Sequence, residues 1–172
     1  RRGYTPAGFR LFADRIGVSR SDSLIDYTVL EDCMREDLNI AAERRIAVLD
    51  PIKLVITNYP EGQSELCHAP NHPLKPELGK RDIPFSRELW IEREDFAEVP
   101  PKGFHRLYPG NKVRLRYGYV IECTGCDKDA DGNVTTVTAT YFEDSKSGTP
   151  GADNYKVKGN SHWVSVAHAC AA

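Results

Sequence analysis

One stretch of this chain is crowded with cationic and aromatic side chains. Between Pro101 and Ile121 stand Lys102, Arg106, Lys112, Arg114 and Arg116, with His105 among them and no Asp or Glu. Phe104, Tyr108 and Tyr117 are interleaved with them. Guanidinium forks make paired hydrogen bonds to phosphates and base edges, and unstacked RNA bases rest on aromatic rings, so these residue types fit recognition of single-stranded RNA. Read as a strand, the segment puts Arg114 and Arg116 on one face and Val113, Leu115 and Tyr117 on the other. The competing reading is a solvated face whose charges pair with nearby acids, the commoner fate of a charge run.

Other constellations carry less. Cys123-Thr124-Gly125-Cys126 has the spacing of a metal or redox pair. Structural zinc needs four ligands, however, and Cys170, His162 and His168 supply no second close pair. A redox pair opens a helix after a strand, whereas this one ends a strand and enters a hairpin. Cys67-His68 with His72 has the same weakness, and no metal site is expected. Asp127-Lys-Asp129-Ala-Asp131-Gly132 imitates the start of a calcium loop, but Thr138 stands where a bidentate Glu is needed and strands replace the flanking helices. There is no G-x-S-x-G elbow, phosphate-cradling glycine loop or H-E-x-x-H, so no catalytic residue is expected.

The elements that must position the cationic stretch can be read from periodicity. Thr5-Pro6 is a cap followed by proline at the first helical position, and Phe9, Phe12, Ala13 and Ile16 recur at helical spacing up to Gly17. After a polar turn at Ser19–Ser23, Tyr27, Leu30, Met34, Leu38 and Ala41 line one face of a second helix. Beyond Asp50-Pro51 the period becomes alternating. Strands are predicted over Ile52–Ile56, Ile83–Glu92, Val113–Cys123, Val134–Phe142 and Ser161–Ala167, with turn-rich connections and a hairpin tip at Ala130–Asn133. The expected fold class is mainly β: an antiparallel β-barrel preceded by a helical pair, with a boundary near Ala47.

Composition bounds the function. The 172 residues are 40% hydrophobic and 28% charged, which excludes disorder and low complexity. No apolar run approaches the ~20 residues of a membrane helix. With 23 basic and 25 acidic side chains the net charge is −2, which argues against an indiscriminate nucleic-acid binder and leaves a positive stripe on a nearly neutral body. Five irregularly spaced cysteines fit reduced thiols in the cytoplasm. Arg1-Arg2-Gly3-Tyr4 leads into a polar helix rather than a signal region. The missing initiator Met and the stop at Cys170-Ala171-Ala172 read as a segment of something longer.

The order of several longer runs is more specific than any short motif. TPAGFRLFADRIGV from Thr5, LEDCMREDLN from Leu30, AVLDPIKLVITNY, APNHPLKPELGKRDIPFSRELWIEREDF, RLYPGNKVRLRYGYVI and VKGNSHWVSVAHA follow one another from Arg1 to Ala169 without large gaps. Together they resemble the glutaminyl-tRNA synthetases, a class I aminoacyl-tRNA synthetase family. The resemblance implies that residues 1–46 end the helical subdomain of the catalytic core. Residues 47–172 would form the proximal anticodon-binding β-barrel, truncated at its C-terminus and similar to the barrel of a ribosomal 5S RNA-binding protein.

The same resemblance implies a parent enzyme that joins glutamine to its tRNA with ATP and Mg. This segment lacks the H-I-G-H and K-M-S-K-S signatures, so it is expected to be inactive and to hold no cofactor. Asn39 and Arg44 match contacts to the anticodon loop, Arg44 at the middle base. Arg106 matches the arginine at the third base, and Arg114 with Arg116 those at the first. Ser19, Arg20, Ser21 and Asp26 match a contact to the inside corner of the tRNA, with Lys102 and His105 as further contacts.

Leu74 departs from the family, which can have Asn there, as do Gly103 and His105, which replace longer polar residues. Because the family's middle-base pocket also draws on a distal barrel, blunted discrimination is expected. The implied partner is glutamine tRNA, bound by a cytoplasmic monomer without membrane or DNA. Alternative readings are the same segment of an archaeal or eukaryotic-type glutamyl-tRNA synthetase, a non-enzymatic RNA-binding barrel, and a redox or metal protein using Cys123 and Cys126.

Overall fold

A computed structural model of the chain describes residues 3–170. They divide into two compact units. One comprises the residues up to Arg44 together with Asn71–Gly79, the other Arg45–Pro70 together with the residues from Lys80 onward.

In the first unit, local signals set the helix ends. Helix α1 (Pro6–Ile16) is capped by the Thr5 side chain, which accepts the Gly8 N–H at 3.0 Å. It closes at Gly17, at φ 68°, which donates to the Ala13 carbonyl. Helix α2 (Tyr27–Ala41) is capped by Asp26, whose carboxylate accepts from the Thr28 N–H at 2.8 Å. The helices pack tightly at Gly8, where an added Cβ would collide with Met34 Sδ. Two helices can cover only one face of each other, and Phe9, Ile16 and Tyr27 stay largely exposed.

The second unit holds β1 (Pro51–Ile56), β2 (Ser64–Pro70), β3 (Lys80–Ser86), β4 (Glu88–Glu92), β5 (Lys112–Leu115), β6 (Val120–Lys128), β7 (Val134–Tyr141), β8 (Gly159–Ser161) and β9 (Val164–Ser165). Seven strands form one sheet in the order β8-β5-β6-β7-β1-β4-β9, and β2 with β3 forms a two-stranded ribbon. Most neighbours are antiparallel, but β1 with β7 and β5 with β8 are parallel. Strands β8 and β9 occupy opposite edges of the sheet yet are joined only by His162 and Trp163. Three residue steps span at most roughly 11 Å. The sheet must therefore curl until its ends nearly meet, which gives the expected mainly-β, barrel-like fold, following two helices in chain order.

Alternation places the core inside the curl: Ile52, Leu54, Ile56, Leu89, Ile91, Val113, Leu115, Ile121, Val137 and Ala139 all point inward. Phe85 sits among Tyr59, Tyr119 and Trp163, with ring centroids 5.1–5.3 Å away. At the edge of this aromatic cluster the Glu65 carboxylate accepts from Tyr119 Oη at 2.7 Å and from Lys146 Nζ at 2.6 Å.

Four features differ from the sequence reading. Ile83–Glu92 is two strands, because the chain turns at Arg87 and β3 pairs with β2 while β4 pairs with β1. Ser161–Ala167 likewise divides between β8 and β9. Strand β2 has no counterpart in the prediction. Val113–Cys123 is a hairpin rather than one strand: β5 ends at Leu115, and residues 116–119 turn back into β6.

Candidate nucleic-acid interface

The cationic stretch lies along the β5/β8 edge, where Val113 pairs with Gly159, Arg114 with Asn160 and Leu115 with Ser161. At the start of β5 a cleft of about 440 Å³ is lined by His105, Lys112, Lys156 and Lys158, with the Phe104 and Tyr108 rings beside them. No acidic residue is in its described lining. Gly159 forms part of its floor. A Cβ there would lie 2.1 Å from the His105 carbonyl oxygen, so the close approach of that loop to β8 requires glycine. Lys102 and His105 are both exposed on the loop before β5, with Gly103 at φ 86° between them.

Arg106 is partly committed to the fold. Its guanidinium donates to the Asp95 carboxylate and lies 3.4 Å from Glu94. The Asp95 side chain is only 4% exposed, and burial pushes its pKa up although Arg106 pulls it down. The Arg106 side chain is 45% exposed.

The two arginines of β5 and its turn have different surroundings. Arg114 donates to the Ser145 and Ala152 carbonyls, both at 2.8 Å, and so ties the 143–154 segment to the strand. Arg116 is not on the strand, so the two do not share a strand face as the alternation implied. The reason is Tyr117, whose φ of 66° reverses the chain; the Gly118 N–H then closes the turn on the Leu115 carbonyl. Left-handed backbone costs a side-chain-bearing residue about 1–2 kcal/mol, and among the described non-glycine residues Tyr117 alone adopts it.

In the first unit, Arg44 caps the C-terminus of α2. Its guanidinium donates to the carbonyls of Ala42 at 2.9 Å and Asn39 at 3.1 Å, and to Asn39 Oδ1 at 3.2 Å. His72, 1% exposed, donates from Nε2 to the Asn39 carbonyl while its Nδ1 accepts from the Leu74 N–H. Leu74 itself is 75% exposed. Ser19 and Ser21 form an exposed turn, the Ser21 N–H donating to Ser19 Oγ, and Arg20 is exposed between them. Asp26 is occupied by its cap. Hydrogen bonds from the Thr28 hydroxyl and backbone hold its carboxyl below the usual range.

The remaining sequence constellations fall into ordinary structural roles. Burial raises the Cys123 and Cys126 thiols, which disfavours the thiolate that a metal or disulfide exchange requires. Asp129 closes the hairpin tip, accepting from the Asp131 and Asn133 N–H groups. Three contributors escaped the sequence reading: Lys156 and Lys158, whose one-residue spacing was a weak signal for a shared side, and His72, set aside with the metal candidates.

Comparison with known proteins decides the family. A family model described as "tRNA synthetases class I (E and Q), anti-codon binding domain" matches residues 42–142, more than half of the chain. The chain belongs to this family. The matched span covers β1 to β7 and includes Arg106, Arg114 and Arg116, whereas β8, Lys156 and Lys158 lie beyond it. Proteins named glutamine–tRNA ligase are similar over the full length. That of Cupriavidus metallidurans is 67% identical over 172 residues, all of this chain and 30% of its own. That of Cupriavidus taiwanensis is 69% identical and that of Bordetella pertussis 63%, each over 169 residues, 98% of this chain and 29% of theirs. The chain thus spans less than a third of the curated relatives it matches. Among the described residues no helix is long and apolar enough to cross a membrane.

Proposed function

We propose that this chain reads the anticodon loop of glutamine tRNA for a parent enzyme that joins glutamine to that tRNA with ATP and Mg. The observation that carries the reading is the acid-free basic cleft with its two aromatic rings, set on a domain of the anticodon-binding family. Single-stranded anticodon bases are splayed and can enter such a cleft, unlike the bases of duplex RNA. The names of the similar proteins support glutamine as the amino acid. Residues 1–46 act as the end of the catalytic core's helical subdomain and 47–172 as the proximal anticodon barrel.

Arg106 meets the third anticodon base, and Arg114 and Arg116 serve the first. Asn39 and Arg44 serve the anticodon loop, Arg44 at the middle base. Ser19, Arg20, Ser21 and Asp26 face the inside corner of the tRNA, and Lys102 and His105 add contacts near the cleft. The parent works in the cytoplasm as a monomer, with tRNA rather than DNA or membrane as its partner.

The test is binding of anticodon stem-loops to the Arg106→Ala variant. A well-made paired contact to a base edge contributes about 1–3 kcal/mol of discrimination, so the variant should lose that much and relax its choice at the third base. Equal loss for every third base would reduce Arg106 to a phosphate contact. Unchanged binding would remove it from the site.

A further inference from the structure

From the left-handed turn after β5 we infer that Tyr117 is a positioning residue for Arg116, restraining the guanidinium that meets an unpaired anticodon nucleotide. This deepens the anticodon reading and rests on it. The turn runs Leu115-Arg116-Tyr117-Gly118, closed by the Gly118 N–H on the Leu115 carbonyl. A turn with positive φ at its third residue favours Gly or Asn there. This chain has Tyr at that position, at φ 66°, and keeps its glycine one place later. A backbone outlier of this kind persists only where the surroundings over-determine it, and such outliers cluster at ligand sites.

The surroundings do over-determine it. The Arg116 N–H donates to the Ser161 carbonyl at 3.0 Å, and the Arg116 carbonyl accepts from Trp163 Nε1 at 2.9 Å. On the other side, Ser147 donates to the Gly118 carbonyl from both its N–H and its Oγ, each at 2.9 Å. Arg114 holds the segment that carries Ser147 through its bonds to Ser145 and Ala152. The backbone on either side of Tyr117 is therefore fixed. The Tyr117 ring packs partly on the core and lies under the Arg116 guanidinium, with Cζ 5.4 Å from the ring centroid.

A cation–π contact with a ring restrains a guanidinium and leaves its N–H groups free for a ligand. Arg116 is exposed, whereas Arg114 is half-buried and donates to two carbonyls. A long side chain that must be ordered on binding weakens affinity, and one already ordered does not. The tyrosine thus supplies what an unstrained Gly or Asn could not: a surface that orders Arg116 before the RNA arrives.

The experiment titrates the 172-residue chain, its Tyr117→Asn, Tyr117→Phe and Arg116→Ala variants, and the double variant, against a glutamine anticodon stem-loop. Tyr117→Asn should weaken binding by about 2- to 12-fold, the effect of ordering one long side chain. Its melting temperature should equal or exceed the parent's, because Asn accepts the left-handed conformation. Tyr117→Phe, which keeps the ring, should bind like the parent. In the Arg116→Ala background the Tyr117→Asn change should have no further effect. If the Asn variant does not fold, Tyr117→Gly takes its place.

Parent-like binding by Tyr117→Asn, or the same fold-loss with and without Arg116, would overturn the inference and leave Tyr117 as a packing residue. Failure of the parent chain itself to bind would instead overturn the anticodon reading.

Discussion

Deleting the Arg106 side chain should weaken the fold as well as the RNA contact, and the structure sets the size of the effect. Arg106 donates to Asp95, whose side chain is only 4% exposed. Removing one partner of a fully buried ion pair costs about 3–5 kcal/mol, because the other charge is left uncompensated. Here the Arg106 side chain is 45% exposed and its guanidinium is shared with Glu94, so the cost of Arg106→Ala falls to about 1–3 kcal/mol. At about 2–4 °C per kcal/mol for a chain of this size, Tm should drop by roughly 2–12 °C.

The loss should carry a pH signature. Burial raises Asp95 above the ordinary carboxylate range even with Arg106 beside it. A carboxyl whose folded pKa is raised contributes stability below its unfolded pKa and loses it as pH rises through the folded value. Arg106→Ala removes the charge that opposes this rise, so the folded pKa climbs further and the penalty at neutral pH grows. Thermal unfolding followed by circular dichroism from about pH 4 to 8 should show parent and variant furthest apart at neutral pH and converging toward pH ~4. Adding Asp95→Asn to the variant should recover most of the lost stability at neutral pH. A gap that does not change with pH, or no recovery on adding Asp95→Asn, would refute the reasoning.

Three other outcomes follow from the same geometry. Gly159→Ala places a Cβ 2.1 Å from the His105 carbonyl oxygen and 2.9 Å from Val113 Cγ1, so it should cost about 1–3 kcal/mol by denaturant titration and lower stem-loop affinity. Glu65 is opposed by its burial but held below the usual carboxylate range by hydrogen bonds from Lys146 and Tyr119, so its stabilisation is present above the unfolded pKa and lost as pH falls through the folded one. Glu65→Gln should therefore cost about 1–2 kcal/mol at neutral pH, and the difference should shrink in acid. Lys158→Ala should weaken stem-loop binding equally for all anticodons and reduce the log–log salt slope by about 0.7 if that lysine meets one phosphate; an unchanged slope would remove it from the interface.

What was legible in the sequence was local. Thr5-Pro6 and Gly17 mark the ends of α1 because each cap is made within a few residues, and both cap as their types dictate, whereas the Asp26 cap of α2 was not read. The β6–β7 hairpin was legible for the same reason, with its tip closed by Asp129. What the sequence reading missed depends on distant partners. Ser161–Ala167 alternates like one strand, yet Trp163 passes through the core and carries the chain from one sheet edge to the other. Strand β2 was hidden because Leu66 is exposed while Cys67 and Ala69 face inward, so hydrophobicity alone mislabels its faces. Arg116 left its predicted face because Tyr117 adopts a conformation that its residue type disfavours, and no propensity announces that. Lys156 and Lys158 lie some forty residues from the cationic stretch and reach the cleft only through the parallel β5–β8 pairing.

The anticodon reading is tested most directly by titrating the 172-residue chain against a glutamine anticodon stem-loop at two salt concentrations, beside third-base and glutamate-type variants. Binding that prefers the glutamine loop and weakens with salt, at a log–log slope of about −0.7 per phosphate contact, is the predicted result. No binding even at low salt would contradict it, and the basic edge would then be a solvated face of a structural spacer.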